Sequence, residues 1–268
     1  ILPAVAAGEC LLALAIDEGA RHAPDRIATT VTAVDGGLRI DGTKRFVLDG
    51  HVADHFVVLA RSHGAVDATD GITLLLVPAA SAGVRVTRTA MVDSRNAARV
   101  EFAGVNVGAD AVLGTIGEGY PALERALDGA RAGLAAEMLG SGLEAFERTV
   151  AYLKLREQFG QKIGAFQALK HRAALMYCEI ELTRSAVLAA LDALDADSAE
   201  APALASLAKA QACEMLELVS NEAVQMHGGI GMTDAEEIGF FLKRARVAQQ
   251  TFGDAAYHRD RYARLAGF

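Results

Sequence analysis

Over the first hundred or so residues, apolar positions cluster in short runs or alternate with polar ones, and Gly, Asp and Pro separate the runs. That is the two-residue period of strands. Residues 57–60, 72–77, 83–86 and 100–107 read as half-buried or buried strands. Residues 38–40, then Asp41-Gly42, then 44–48 read as a hairpin, because Asp-Gly readily takes the positive φ angles of a tight turn. From about Gly117 the spacing lengthens to three and four residues. Leu123, Ala126, Leu127, Ala130, Leu134 and Met138 share one helical face, as do Leu204, Leu207, Ala208, Met215, Leu218 and Val219. The pattern predicts four long helices, at 118–155, 166–196, 202–226 and 235–264, with the acidic stretch 192–200 as a solvated loop. The expected fold is α+β: an antiparallel β domain, barrel-like or sandwich, over 1–110, followed by an antiparallel four-helix bundle over 111–268.

A chain of 268 residues with 52% hydrophobic residues has material for one large or two ordinary domains. The net charge of −8, without a cationic run, gives no footing for nucleic acid or an anionic membrane. No stretch supplies the ~20 apolar residues of a membrane span. Cys10, Cys178 and Cys213 are odd in number, far apart and without ligand spacing, so neither a disulfide framework nor a metal site is expected. A reducing, cytoplasmic setting fits them, each as a small core residue. Residues 1–16 are apolar but lack a basic n-region and are interrupted by Gly8-Glu9, which argues against a targeting segment. The chain enters patterned sequence without an initiator Met, so an upstream portion is expected to be missing.

Two segments carry candidate chemistry. The first is Arg156-Glu157-Gln158-Phe159-Gly160-Gln161-Lys162-Ile163-Gly164-Ala165-Phe166-Gln167, where a long helix ends and two glycines suit a tight turn into the next. An Arg there can pair with pyrophosphate oxygens and an exposed aromatic can cover an adenine face. The plainer reading is a capped helix with a surface Arg. The second is Gln225-Met226-His227-Gly228-Gly229-Ile230-Gly231. Its glycines permit left-handed backbone and leave N–H groups unhindered for a phosphate or adenosine, although a lone Gly-Gly-x-Gly more often only stops a helix. His227 falls inside this motif with no partner nearby in sequence, which argues against a catalytic role.

Together these motifs, with Lys243-Arg244-Ala245-Arg246 further on, resemble the acyl-CoA dehydrogenases. The resemblance implies FAD as cofactor, an acyl-CoA thioester as substrate, and the middle β and C-terminal helical domains of that family without its N-terminal helical domain. It implies cofactor contacts from Arg156, Gln158, Phe159 and Gln167 across a subunit interface, and from Gln225, Met226, His227, Gly228 and Gly229. It also implies oligomers, homomeric or heteromeric tetramers, and electron transfer flavoprotein as the usual acceptor. The β domain resembles the family more weakly, in Leu2-Pro3, Gly8-Glu9, Asp41-Gly42-Thr43-Lys44, Gly50, Ala53-Asp54 and Leu59-Ala60-Arg61.

The departures from the family lie on the flavin-ring side and at the base. Where the family has a Thr-Glu-Pro-Gly-Ala-Gly-Ser-Asp loop, this chain reads Asp17-Glu18-Gly19-Ala20-Arg21-His22-Ala23-Pro24-Asp25. Its Trp-Ile-Thr strand becomes Phe46-Val47-Leu48, and Leu48 has no hydroxyl to bond a flavin. The family's catalytic glutamate stands in a Glu-Gly-Thr turn, which here is Phe252-Gly253-Asp254, or on the first long helix before an Arg, which here is Ala130 before Arg131. No catalytic residue is therefore assigned in this chain. A positioned base contributes roughly 10²- to 10⁴-fold; the nearby carboxylates Asp254 and Asp128 sit two positions from the slots, a spacing that normally means another direction, and an ordinary dehydrogenase with one of them as surrogate base is a third reading. The pattern fits a subunit of a heteromeric acyl-CoA dehydrogenase whose partner supplies the glutamate. The alternative is an autonomous flavin-dependent oxidase or monooxygenase of the same fold, since fold alone does not decide function.

Overall fold

The runs read as strands, 38–40, 44–48, 57–60, 72–77, 83–86 and 100–107, fall on strands of the computed structural model, which describes residues 1–268. The chain divides into two compact units, Ile1–Glu124 and Arg125–Phe268. The first holds a short helix α1 (Leu2–Ala6) and strands β1 (Leu12–Ala15), β2 (Thr30–Val34), β3 (Gly37–Leu48), β4 (His55–Arg61), β5 (Ile72–Pro78), β6 (Val84–Thr89), β7 (Ala97–Val107) and β8 (Val112–Leu113). They form one eight-stranded sheet in the order β6-β7-β3-β2-β4-β5-β8, with β1 beside β4. The sheet is antiparallel except at β1–β4 and at a single pair between β2 and β4. It does not close, since β6 and β8 remain its ends. Val58, Leu75, Val100 and Val105 enter one core, Val100 and Val105 from either side of the register shift between β3 and β7, and there Phe56 meets Phe102 edge to face at 6.3 Å.

The hairpin expected at Asp41-Gly42 is not there. β3 runs unbroken through both residues and pairs with β2 by Val34↔Gly37, so the chain reverses at Asp35-Gly36 instead. Asp41 and Gly42 mark a bulge against β7. A Cβ on Gly42 would lie 2.7 Å from the Thr29 Cα, so the glycine serves close backbone approach. The Asp41 carboxylate accepts from the Gly104 N–H at 2.7 Å and the Arg39 Nε at 2.8 Å.

The second unit is built on α2 (Tyr120–Leu155), α3 (Gln167–Asp195), α4 (Ala201–His227), α5 (Ile238–Gln250) and α6 (Ala255–Leu265), with a small hairpin of β9 (Glu157–Gln158) and β10 (Gln161–Lys162) between α2 and α3. The first three helices fall where the spacing predicts them. The fourth, expected to run over 235–264, is two helices, so five replace the expected four. Phe252 and Gly253 take φ of 57° and 104°, and Asp254 then caps α6 by accepting from the Tyr257 N–H at 2.8 Å. Positive φ cannot continue a right-handed helix, and an Asp N-cap starts a new one. The core is rich in small residues, Ala132 and Ala135 of α2 with Ala205, Ala208 and Ala212 of α4. A Cβ on Gly142 would lie 2.6 Å from the Met215 Sδ, so these helices approach at close range.

Candidate functional site

The sequence motifs converge on one end of the helical unit. Arg156 follows the last residue of α2, and β9 and β10 pair by Gln158↔Gln161 and Glu157↔Lys162. The two linking residues, Phe159 and Gly160, have φ of 55° and 79°, a two-residue turn with positive φ throughout. Gly does this freely; a bulky Phe does so at about 1–2 kcal/mol. Phe159 is nonetheless 89% exposed and touches only the edge of Phe166, at 6.0 Å between ring centres. The Lys162 ammonium donates to the Leu155 carbonyl at 3.1 Å and pairs with Glu157 at 2.7 Å, which clamps the hairpin onto the end of α2. Gly164 lets the following 3₁₀ turn sit against α2, where a Cβ would be 2.9 Å from the Leu153 carbonyl oxygen.

The end of α4 stands beside the end of α2. His227 stacks on Tyr152 at 4.4 Å, and Tyr152 lies one turn before Arg156. Gly228 takes φ 67°, stopping α4, and the space where a Cβ would stand on Gly228 or Gly229 is open for 4 Å. Seven of the nine expected cofactor residues are exposed: Arg156, Gln158, Phe159, Gln167, Gln225, Gly228 and Gly229. Arg156 has no ion-pair partner within the chain, while Gln167 bonds His171 at 2.8 Å and the Gln158 amide donates to the Glu157 carbonyl. Met226 and His227 are buried instead. The His227 Nδ1–H donates to the Ala223 carbonyl at 2.7 Å, so this side chain holds the turn from inside. The arrangement is an exposed guanidinium, an exposed aromatic ring and two open glycines on one end of a bundle, suited to a phosphate and a planar heterocycle.

The other places singled out in the sequence are engaged within the chain. Asp17 accepts from His22 Nδ1 at 3.0 Å and from the Ala23 N–H at 3.1 Å. Glu18 accepts from the Ala28 and Thr29 N–H groups and from the Lys44 ammonium at 2.8 Å. Lys44 is fully buried and also donates to the Ile16 carbonyl at 3.0 Å. Burial pushes its ammonium down to about 8 despite Glu18; burial raises the Glu18 carboxyl, but the Lys44 charge and hydrogen bond outweigh that and hold it low.

Beneath the Phe252 turn lies a buried polar cluster that sequence reasoning missed. Asp128 sits between Arg131 and Arg261, at 2.9 Å from each, and Arg131 reaches the Tyr257 hydroxyl at 3.1 Å. Asp128 is thus doubly ion-paired and Asp254 is a helix cap; neither is a poised base. The Lys209 ammonium donates to the carbonyls of Ala248 and Gly253 at 3.0 and 2.9 Å and to the Cys213 Sγ at 3.2 Å. His258 donates to the Phe252 carbonyl at 3.0 Å; burial, then the charges of Lys209 and Arg131, push its imidazole down to about 2. Phe252 packs against the helical core, and Ala130 is half-buried. Cys10 and Cys213 are buried as expected, but Cys178 is exposed on α3. No group of His, Cys, Asp and Glu is arranged to hold a metal ion, and no helix is long and apolar enough to cross a membrane.

An open β-sheet unit is followed by a helical unit that carries a two-residue hairpin after its first long helix and a glycine turn after its third. The family model "Acyl-CoA dehydrogenase, C-terminal domain" matches residues 117–266, and "Acyl-CoA dehydrogenase, middle domain" matches 15–105. The chain belongs to the acyl-CoA dehydrogenase family. It is 30% identical over 213 residues to the mitochondrial short/branched chain specific acyl-CoA dehydrogenase of Bos taurus, covering 78% of this chain and 48% of that one, so it spans about half the length of that relative. It superposes on the acyl-CoA dehydrogenase of Geobacillus kaustophilus with a TM-score of 0.94 at 28% identity, over 100% of this chain and 71% of that one. On a chain of the ChsE4-ChsE5 complex from Mycobacterium tuberculosis the TM-score is 0.87 at 26% identity, over 99% and 69%.

Proposed function

We propose that this chain is an acyl-CoA dehydrogenase subunit that takes part in α,β-oxidation of acyl-CoA thioesters within a heteromeric flavoprotein, the base being a glutamate of an unlike partner chain. The observation that carries this is Phe159: a ring 89% exposed, held at φ 55°, on a hairpin whose neighbour Arg156 lacks an internal counter-charge. Strain and exposure of that kind are retained where a ligand offsets them.

The adenosine and pyrophosphate end of FAD fits this end of the helical unit. Arg156 would pair with pyrophosphate oxygens, Phe159 would cover the adenine face, Gln158, Gln167 and Gln225 would donate or accept at its polar edge, and Gly228-Gly229 would let the backbone approach. Met226 and His227 would act from within, by fixing that backbone. The ring end does not fit what residues 17–48 offer. Leu48 has no donor, and the carboxylates of Asp17 and Glu18 are taken up by their own loop. When bound, FAD supplies the hydride acceptor; what this chain does is bind and orient its distal half. No carboxylate here is placed to take an α-proton, which supports a base from elsewhere. The superposition on a chain of the two-component ChsE4-ChsE5 complex is consistent with assembly from unlike chains, and electron transfer flavoprotein is the acceptor such an enzyme would use.

Arg156→Ala tests the reading. The variant should keep its fold and lose at least tenfold in FAD affinity of the assembled complex, read by flavin absorbance after gel filtration. Equal flavin content in variant and wild type would remove the hairpin from the cofactor site.

A further inference from the structure

The two exposed patches of the candidate site stand on different helices, and a stacked ring pair joins them. The hairpin is rooted in the last turn of α2, where the Arg156 N–H donates to the Tyr152 carbonyl at 2.8 Å and the Arg156 carbonyl accepts from the Ile163 N–H at 2.9 Å. The glycine turn is rooted in the last residue of α4, His227. Tyr152 and His227 face each other from the two helices, with ring centres 4.4 Å apart and planes at 23°. His227 has little freedom of its own. It is buried, its Nδ1–H donates to the Ala223 carbonyl at 2.7 Å, and a Cβ on Gly231 would lie 2.9 Å from its Cβ. The imidazole is thus tied to α4, backed by the glycine turn and covered by the phenol ring. Stacked aromatic pairs at this range are directional contacts. The Lys162 clamp and the close approach of Gly164 fix the hairpin to α2, its own helix. The stack carries that fixation across to α4.

We propose that Tyr152 is a positioning residue, which through His227 sets the spacing between Arg156 and Gly228-Gly229 and so lets one ligand engage both. This role rests on the cofactor reading above and adds to it a side chain that acts without touching the ligand. A diphosphate held by Arg156 alone, or an adenosine held at the glycine turn alone, is held weakly. Joined in one molecule they bind tightly only where the two patches keep the spacing the molecule requires. Patches already locked at that spacing spare the ligand the cost of ordering them. A ring pair that merely fills the space between two helices would act otherwise: it would support the fold, and its loss would weaken every ligand of this end alike. The ligand class that tells the two apart is a nucleoside diphosphate, which spans both patches, against inorganic pyrophosphate, which needs Arg156 alone.

Calorimetric titration of the full chain with ADP and, separately, with inorganic pyrophosphate tests it. In the wild type ADP should bind roughly tenfold or more tighter than pyrophosphate. Tyr152→Leu should weaken ADP about fivefold or more and leave pyrophosphate within about twofold. Tyr152→Phe, which keeps the stack, should match wild type with both ligands. If Tyr152→Leu folds poorly by circular dichroism, His227→Gln removes the other ring while its amide can still donate to the Ala223 carbonyl, and it should show the same split. A wild type that does not prefer ADP overturns the proposal. So does loss of either ring that weakens both ligands alike, or neither. Arg156→Ala keeps the cofactor reading separable, since it should weaken both ligands. If it weakens neither, the hairpin leaves the cofactor site and the role of Tyr152 falls with it; if it weakens both while Tyr152→Leu leaves ADP unmoved, the cofactor site stands and only the role of Tyr152 is lost.

Discussion

The hairpin at residues 156–162 and the loop at 17–25 are both places where the family resemblance implies cofactor contacts, and they have opposite internal chemistry. In the hairpin, Arg156 and Phe159 point outward with almost nothing of the chain to satisfy them. In the loop, Asp17 and Glu18 are bonded to backbone N–H groups, to His22 and to a buried Lys44. A site that waits for a ligand leaves polar and aromatic groups unmatched; a segment that has become structure matches them internally. The Phe252 turn belongs with the loop. Its carbonyls are gripped by Lys209 and His258, and its one carboxylate caps a helix.

That contrast can be broken or sharpened by substitution. At neutral pH the largest effect is expected in the loop: Glu18→Ala strands the Lys44 ammonium in the core and should cost about 3 kcal/mol of stability, seen by denaturant unfolding, without lowering flavin retention by whatever complex still folds. A loss of flavin in step with Glu18 would mean the loop is part of the cofactor site after all. In the hairpin the signs reverse, with Arg156→Ala losing flavin at least tenfold, about 1.4 kcal/mol in binding, while the unfolding midpoint is unchanged.

The Phe252 turn gives a pH signature. The His258 imidazole is held at about 2 when folded against an ordinary 6.5. As pH falls through 6.5 the unfolded chain takes a proton that the folded chain refuses. Stability that is fully present above 6.5 is therefore lost between 6.5 and about 2, at about 1.4 kcal/mol per pH unit. His258→Gln, whose amide can still donate to the Phe252 carbonyl, should remove one proton's share of that slope in a melting series. Asp254→Ala should lose the α6 cap, about 1 kcal/mol, whereas Asp254→Asn, itself a good cap, should leave both stability and turnover of the complex unchanged. The smallest effect is the most diagnostic of ligand-directed strain. Phe159→Gly relieves a positive φ and should stabilise the isolated chain by about 0.5–1 kcal/mol while weakening FAD binding.

Much of this was legible in the chain. Periodicity located the strands 57–60, 72–77 and 100–107 and the first three long helices within a few residues, because each buries one continuous stripe. The errors fall where one local signal has two structural uses. Asp41-Gly42 reads as a turn by residue type, but the chain turns at the same dipeptide six residues earlier, Asp35-Gly36, while Gly42 serves the approach of Thr29, a contact invisible in the local sequence. Phe252-Gly253-Asp254 carries a Gly and an N-cap Asp, enough to break the helix expected over 235–264, yet helical spacing continues on both sides. The exposed part of the candidate site was readable from its motifs. The polar cluster was not, since Asp128 and Arg261 lie 133 residues apart, and neither was the separate buried pair of Lys44 and Glu18, 26 residues apart. Cys178, expected in the core, is exposed on α3.

The most direct measurement is the flavin-to-chain ratio of the protein purified alone, then purified after co-expression with an unlike chain of the same family. Little or no flavin alone, and about one FAD per pair of unlike chains in the complex, is the predicted result. One FAD per chain in the protein alone would contradict it, and would place a complete flavin site in the very loop whose carboxylates are engaged with their own backbone.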